Sequence, residues 1–188
     1  MKYDIILCGV GGQGVLSVAA AIAAAAASEK LEVRQSEVHG MAQRGGAVMS
    51  HLRISDEVIP GDLVPRGGGD MILSMEPLET LRYTGYLKPD GICISAMAPF
   101  ENIPNYPEME SVLNKVDSLP NSRMIDAAAL AKEVGNRRAV NMVMVGAASP
   151  FLPLTEESLK SAIRSLFSRK GEKIVEMNID AFSLGRDA

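Results

Sequence analysis

Aromatic residues are scarce in this chain of 188 residues, and tryptophan is absent. Aromatic side chains make up 4% of the sequence, while the hydrophobic fraction as a whole reaches 47%. The core must therefore be aliphatic, with the 11 methionines filling irregular gaps between larger side chains. A chain of this length and composition predicts one globular domain over residues 1–188 and is short for two.

Cysteine and histidine are also few. The two cysteines, Cys8 and Cys93, each lie inside an apolar run, which is typical of buried thiols in a reducing compartment. An iron–sulfur cluster needs more cysteine ligands than two residues supply, so the chain is not expected to hold one by itself. His39 and His51 are twelve positions apart and form no metal-ligand pattern, so no metal site is predicted.

Neither a basic excess nor a membrane-length apolar segment is present. The formal net charge of −4 argues against nucleic-acid binding, which requires basic surface. The apolar stretch from Val15 to Ala27 is mostly alanine and contains Ser17, which favours a packed soluble helix over a membrane span. The N-terminal apolar run is short and interrupted by Asp4, unlike a signal peptide. We therefore expect a cytoplasmic protein with no membrane and no nucleic-acid partner.

A glycine-rich turn stands between the first apolar run and the alanine-rich segment. Its sequence, GVGGQG from residue 9 to residue 14, matches G-x-G-x-x-G and lies between a predicted strand and a predicted helix, as that motif requires. Glycines let the backbone approach a ligand, and the first amides of the helix favour an anion. The turn predicts a site for a phosphate-bearing cofactor, with the binding residues Gly9, Gly11, Gly12, Gln13 and Gly14.

A second unusual stretch, EVHGMAQRGG, occupies residues 37–46. Arg44, followed by Gly45 and Gly46, is suited to clamp a phosphate or a carboxylate, so these three join the predicted cofactor site. Glu37, His39 and Gln43 are predicted to line the approach of a substrate or partner, and an imidazole there is suited to proton transfer. Two other interpretations stay open: polar groups that satisfy one another, or a docking loop for a partner subunit. No catalytic residue is assigned.

Apolar runs alternate with helical patterns along the chain. The stretch from residue 3 to residue 36 predicts a parallel β–α–β unit, Lys88 to Gly91 a turn, and Ser111 to Val116 a short strand or helix. The alternation predicts a three-layer α/β domain with a mainly parallel, Rossmann-like sheet. Ligands bind beyond the carboxyl ends of such strands.

Four loops are therefore expected at this carboxyl edge of the sheet: 9–14, 37–47, 74–77 and 95–100. Further strands are predicted at 47–55, 70–74, 91–95 and 123–125, and further helices at 77–83, 127–134, 141–148 and, last, 158–167.

Three stretches, GVGGQGV, SEVHGMAQRGGAV and NMVMVGAAS, together resemble the gamma-type domain of the 2-oxoacid:ferredoxin oxidoreductases. The motif EVHGMAQRGG is most similar to the indolepyruvate branch of this family. The resemblance runs from residue 3 to about residue 180. It implies a subunit of an enzyme that oxidatively decarboxylates indolepyruvate and other aryl pyruvates to aryl-acetyl-CoA. Electrons from that reaction would pass to ferredoxin.

The same resemblance implies how the cofactors are divided. Thiamine diphosphate and iron–sulfur clusters would belong to a larger alpha subunit, and coenzyme A would be the co-substrate. The glycine turn would face either a phosphate of coenzyme A or the interface with the partner. This chain would bind no cofactor by itself and would be inactive without its partner. Two other functions stay open from the residues alone. One is a self-contained nicotinamide-dinucleotide enzyme, with Glu37 as the acid near the end of the second strand. The other is a non-catalytic assembly or regulatory protein.

Overall fold

The structure, a computed structural model, describes residues 1–38, 45–101 and 103–188. Within these ranges the chain forms six strands and seven α-helices. The strands are β1 (Lys2–Val10), β2 (Glu32–Val38), β3 (Ala47–Ser55), β4 (Gly69–Ser74), β5 (Leu87–Ala96) and β6 (Ser122–Ile125). The helices are α1 (Val15–Ser28), α2 (Pro77–Arg82), α3 (Met109–Asp117), α4 (Ala127–Glu133), α5 (Val140–Ala148), α6 (Glu156–Phe167) and α7 (Glu172–Arg186).

All six strands belong to one sheet in the order β2-β3-β1-β4-β5-β6. The pairs β1–β4, β4–β5 and β5–β6 are parallel, and β3 is antiparallel to both of its neighbours. The mainly parallel sheet is therefore confirmed. The β–α–β unit predicted over residues 3–36 forms with β1 and β2 running in the same direction, but β3 lies between them, so these two strands do not pair with each other. β3 returns directly after β2 and pairs with the whole of β1, from Lys2 opposite Ser55 to Val10 opposite Ala47.

Helices cover both faces of the sheet, as the three-layer prediction requires. Side chains alternate along β1, so Ile5 and Leu7 enter the larger core under α1 and the C-terminal helices. Ile6 and Cys8 enter a smaller cluster on the opposite face. The alanines of α1 give it a thin buried side, which lets the helix lie close to the sheet. No helix in the described ranges is both long and apolar enough to span a bilayer.

Two local predictions need correction, and one alternative that the sequence left open is decided. Lys88 to Gly91 does not form a turn: these residues lie inside β5, where the register shifts between Gly69 opposite Leu87 and Met71 opposite Ile92. The 111–116 segment is helical, as part of α3. The helix over 158–167 is not the last, because α7 follows it and packs against α5.

A buried ion pair fixes the sheet to the loop that follows β3. Register places Asp4 opposite Arg53, and the Arg53 guanidinium donates to both carboxylate oxygens of Asp4, at 2.8 and 3.2 Å. Its Nη1 also donates to the carbonyl oxygens of Gly61 and Leu63, at 2.8 and 3.1 Å. The guanidinium is thereby satisfied within the interior, where an unpaired charge would be strongly destabilising.

Candidate functional site

The glycine turn after β1 requires its glycines for steric reasons. Gly12 and Gly14 have φ values of +102° and +81°, a region that residues with a Cβ avoid. A Cβ on Gly14 would also overlap the side-chain amide of Asn141. A Cβ on Gly9 would stand 3.0 Å from Met75 Cβ, tighter than ordinary packing. The turn is therefore built for close approach to the end of β4 and to the start of α5.

Gln13, a predicted cofactor-binding residue, directs its amide group to the backbone. Its Oε1 accepts from the Val10 amide at 2.7 Å, and its Nε2 donates to the Met75 carbonyl oxygen at 3.1 Å. One side chain thus closes the turn and ties it to the end of β4. The structure gives Gln13 the geometry of a residue that shapes the turn.

The N-terminus of α1 opens at this turn without a side-chain cap. Gly14 is the N-cap, and the first helical turn contains no acidic residue. The amide of Ser17 donates to the Gly14 carbonyl oxygen at 2.9 Å. The amides of Val15 and Leu16 precede the helical hydrogen-bond ladder, so they present donors and the positive end of the helix dipole.

A cleft of about 560 Å³ lies in front of this helix end. It sits at the carboxyl ends of β1, β4 and β5, where ligands bind in open α/β sheets. One side is the turn and the start of α1, and a second side comes from the ends of β4 and β5. The third side comes from the starts of α4 and α5 and the link between them. The lining residues are Gly12, Gln13, Gly14, Ser17, Met75, Ala96, Ala98, Pro99, Ala127, Ala128, Arg137, Arg138, Val140 and Asn141.

Two arginines in this lining were missed by the sequence analysis. Arg137 and Arg138 lie on a short 3-10 turn, Arg137–Ala139, whose start is fixed by the Asn136 Oδ1 accepting from the Arg138 amide at 3.1 Å. Both are exposed, and neither forms an ion pair with an acidic side chain in the described part of the chain. The available signal was two adjacent arginines that follow the helix-ending Gly135 after one intervening residue, Asn136.

The end of the second predicted loop meets the glycine turn. The Gly11 amide donates to the Gly46 carbonyl oxygen at 2.8 Å, and the Gly45 amide donates to the Gly11 carbonyl oxygen at 3.2 Å. Gly45 and Gly46 therefore lie at the predicted carboxyl edge of the sheet. His39, Gln43 and Arg44 lie outside the described residues.

Glu37 is half-buried near the end of β2, opposite Ser50 of β3, and is not among the residues that line the cleft. In a dinucleotide site the acidic residue ends the strand beside the glycine turn. Here β3 occupies that place, so β2 lies two strand spacings, about 10 Å, from β1. The fold therefore lacks the arrangement that the nicotinamide alternative requires.

The two cysteines are buried in the strands, as the sequence predicts. Burial raises the pKa of the Cys93 thiol to about 12 and raises that of Cys8 further. Thiols held in this form are poor metal ligands, because the thiolate is the ligating species. In the part of the chain that the structure describes, no three His, Cys, Asp or Glu side chains are grouped to hold a metal ion.

Comparison with known proteins gives a family and a fold. Residues 4–188 match the family described as pyruvate ferredoxin/flavodoxin oxidoreductase. The indolepyruvate oxidoreductase subunit IorB of Pyrococcus horikoshii is 39% identical, over 98% of this chain and 94% of its own length. The family match and this relative confirm the resemblance that the motifs indicated. The expected fold class is confirmed by solved structures.

Two solved structures share the fold. The gamma subunit of a keto/oxoacid ferredoxin oxidoreductase from Geobacter sulfurreducens superposes with a TM-score of 0.71 at 26% identity, over 98% of this chain and 96% of that one. The 2-oxoglutarate:ferredoxin oxidoreductase of Magnetococcus marinus, solved with 2-oxoglutarate, coenzyme A and succinyl-CoA bound, gives a TM-score of 0.79 at 24% identity. The match covers 99% of this chain but only 30% of that longer chain.

Proposed function

This chain belongs to the pyruvate ferredoxin/flavodoxin oxidoreductase family, and from that premise we propose that it is the smaller subunit of a ferredoxin-dependent indolepyruvate oxidoreductase. The complex would oxidatively decarboxylate indolepyruvate and other aryl pyruvates, form the aryl-acetyl-CoA thioester and pass the electrons to ferredoxin. The choice of indolepyruvate is supported by the 39% identity to a subunit bearing that name. A self-contained nicotinamide enzyme gains no support from these relatives.

We further propose that a larger alpha subunit holds thiamine diphosphate and the iron–sulfur clusters, which supply the carbanion and one-electron chemistry. The buried, protonated thiols of this chain fit that division, since they are unsuited to cluster ligation. On this proposal the chain is inactive alone. Its own residues bind and orient coenzyme A at the shared site.

The observation that carries this role is the basic cleft before α1. Its volume of about 560 Å³ lies in the range of about 300–1,000 Å³ usual for ligand sites. The uncapped helix start and the two arginines present donors to one space, and coenzyme A carries several phosphate groups. Guanidinium groups bind phosphate through paired, charge-assisted hydrogen bonds. We assign the phosphates of coenzyme A to Arg137, Arg138 and the turn containing Gly12 and Gly14.

We also include the stretch over residues 37–46 in the proposed site. Arg44, with Gly45 and Gly46, would add a positive group beside the turn, because Gly45 and Gly46 are hydrogen-bonded to Gly11. His39 and Gln43, with Glu37 behind them, would line the approach of the substrate or the partner. The Arg44→Ala variant, assayed in the assembled complex, tests this part separately. An unchanged affinity for coenzyme A would remove Arg44 from the site.

The reaction is tested by co-expressing this chain with the larger subunit and measuring viologen reduction. Indolepyruvate, phenylpyruvate and pyruvate are compared at matched concentrations, with and without coenzyme A. We expect activity with the two aryl pyruvates to exceed that with pyruvate. Full turnover by the larger subunit alone would contradict an enzymatic role for this chain, and a preference for pyruvate would contradict the substrate class.

The binding role is tested with the double variant Arg137→Ala/Arg138→Ala in the same complex. We expect the KM for coenzyme A to rise about tenfold or more, since a hydrogen bond to a charged group contributes about 1.5–3 kcal/mol. The kcat at saturating coenzyme A should be retained. The matched control is Arg169→Ala/Lys170→Ala, which removes an adjacent basic pair from another short 3-10 turn outside the cleft. Equal KM values for the two double variants would contradict the assignment.

A further inference from the structure

Glu76 is a buried carboxylate that the site described above does not use. It follows Met75 at the end of β4 and is 1% exposed. No basic side chain in the described ranges forms an ion pair with it. Burying a charge without a cation is costly unless hydrogen bonds replace the lost water. The donors that face this carboxylate therefore indicate what it holds in place.

The Glu76 carboxylate joins two separate segments. Its Oε2 accepts from the Glu79 amide at 2.8 Å and so caps the N-terminus of α2. Its Oε1 accepts from the Phe100 amide at 3.4 Å and from the Tyr106 hydroxyl. The last two donors belong to the link between β5 and α3, residues 97–108, of which residue 102 lies outside the described residues. We call this link the β5–α3 segment.

The backbone of Glu76 is itself fixed by buried hydroxyls. Its carbonyl oxygen accepts from Ser74 Oγ at 2.7 Å and from the Thr80 amide at 3.2 Å. The Thr80 hydroxyl also donates to Ser95 Oγ at 2.8 Å, which connects α2 to the end of β5. These three side chains are fully buried. Glu76 therefore has little freedom to move and serves as a rigid anchor.

The β5–α3 segment has few other attachments near the cleft. Among its described residues from 98 to 108, only Tyr106 is not exposed. The Met97 amide donates to the Ile125 carbonyl oxygen at 2.9 Å and fixes the start of the segment. Beyond that point, Phe100 and Tyr106 provide the hydrogen bonds to the buried anchor. Burial and the bond to Glu76 raise the pKa of Tyr106, so its hydroxyl remains a donor at neutral pH.

This anchor lies directly behind one wall of the cleft. Met75 lines the cleft immediately before Glu76, and Ala98 and Pro99 line it immediately before Phe100. We propose that Glu76 is a positioning residue: through Phe100 and Tyr106 it holds Ala98 and Pro99 across from the glycine turn, at the width that coenzyme A requires. This inference rests on the proposed function. Its effect is expected on ligand affinity, because Glu76, Phe100 and Tyr106 shape the cleft wall and are not themselves among the residues that line the cleft.

The test uses Tyr106→Phe, which removes one hydroxyl and leaves the half-buried ring. Hydrogen exchange of the isolated chain, without ligand, is compared with the KM for coenzyme A of the assembled complex. We expect the amides of the non-proline residues Ala98, Phe100, Glu101, Ile103, Asn105 and Tyr106 to exchange about tenfold faster. We expect the KM to rise about fivefold, with kcat within about twofold of wild type. Glu76→Ala, which removes both acceptor oxygens, should show both effects with a further loss of the α2 cap. Tyr3→Phe, at the opposite end of β1, is the matched control and should show neither.

Hydrogen exchange and the KM for coenzyme A together distinguish the ways in which the proposal could fail. Faster exchange with an unchanged KM would overturn the positioning role, because the segment would be loosened without consequence for the ligand. A raised KM with unchanged exchange would overturn it as well, since Tyr106 would then act on the ligand itself. If the wild-type complex shows no dependence on coenzyme A, the proposed function fails and this inference with it. If the wild-type complex depends on coenzyme A but neither variant changes the KM for coenzyme A, this inference alone is overturned.

Discussion

Protonation of His51 is expected to change the stability of the folded chain near neutral pH. His51 is 3% exposed, its Nδ1 accepts from the Val64 amide at 3.1 Å, and its ring meets Tyr86 edge-on. Burial, and then the charge of Arg53, lower its pKa below 6.5. The unfolded chain therefore takes up this proton at a higher pH than the folded chain does. The stabilisation is complete above pH 6.5 and is lost as the pH falls toward the folded value.

The substitution His51→Asn isolates this effect, because the Asn oxygen replaces the Nδ1 acceptor and does not titrate. We expect the free energy of unfolding of the wild type to fall as the pH is lowered below about 6.5, and this pH dependence to shrink in the variant. Urea unfolding at a series of pH values measures it. Identical slopes for the wild type and His51→Asn would rule out His51 as the source.

The two thiols are expected to be unreactive in the native protein. Burial raises the pKa of Cys93 to about 12 and that of Cys8 still further, and the Cys8 thiol donates to the Glu79 carbonyl oxygen at 3.8 Å. Because the thiolate is the nucleophile, iodoacetamide at about pH 8 should label neither cysteine in the folded chain and both in urea. Mass spectrometry counts the adducts. Labelling of the native chain at the urea rate would contradict this burial.

At the scale of elements, the crossing of α5 and α7 depends on two glycines. A Cβ on Gly146 would overlap the Phe182 carbonyl oxygen, and a Cβ on Gly185 would overlap the Val143 carbonyl oxygen. We expect Gly146→Ala to lower the free energy of unfolding by about 3 kcal/mol, the upper range for overpacking, since both overlapped groups are backbone. Urea denaturation measures the loss. Gly61→Ala is the matched control, because its added Cβ meets nothing within 4 Å. A loss no larger than that of the control would contradict the tight crossing.

Helix starts were predictable because caps are local. Asp126 and Thr155 are residue types that favour the N-cap position, and their oxygens accept from the amides of Ala129 and Ser158 at 3.0 and 3.2 Å. The helix α7 was missed although Val175, Ile179 and Phe182 recur at helical spacing. The buried face of α7 also contains Asn178 and Gly185, which interrupt the apolar pattern. Asn178 tolerates burial because its Nδ2 donates to the Ile174 carbonyl oxygen at 2.7 Å.

At the scale of the whole molecule, the sequence predicted what adjacent residues determine and missed what the topology brings together. The glycine turn was recognised because strand, turn and helix follow one another. Arg137 and Arg138 reach the same cleft from a link more than a hundred residues later in the chain. No local pattern connects them to the turn. Likewise, the insertion of β3 between β1 and β2 follows from the return of the chain after β2 and not from the composition of any strand.

That insertion leads to a prediction for the isolated chain. A dinucleotide site needs an acidic residue at the end of the strand beside the glycine turn, to bind the ribose hydroxyls. Here the strand between β1 and β2 is β3, which runs antiparallel, so its carboxyl end lies at the opposite edge of the sheet. Glu37 lies near the end of β2, about 10 Å from β1. The turn is therefore open to a phosphate without the group that selects a nicotinamide dinucleotide.

We accordingly expect NADH titration of the purified chain to give no saturable change in fluorescence or heat at concentrations where a nicotinamide-dependent dehydrogenase, run in parallel, saturates. Glu37→Gln should leave that result unchanged, because the carboxylate is too far from the turn to contribute. Coenzyme A, titrated into the assembled complex under the same conditions, should saturate. Saturable NADH binding that Glu37→Gln abolishes would contradict the argument from strand order, since it would require Glu37 to reach past β3 to the glycine turn.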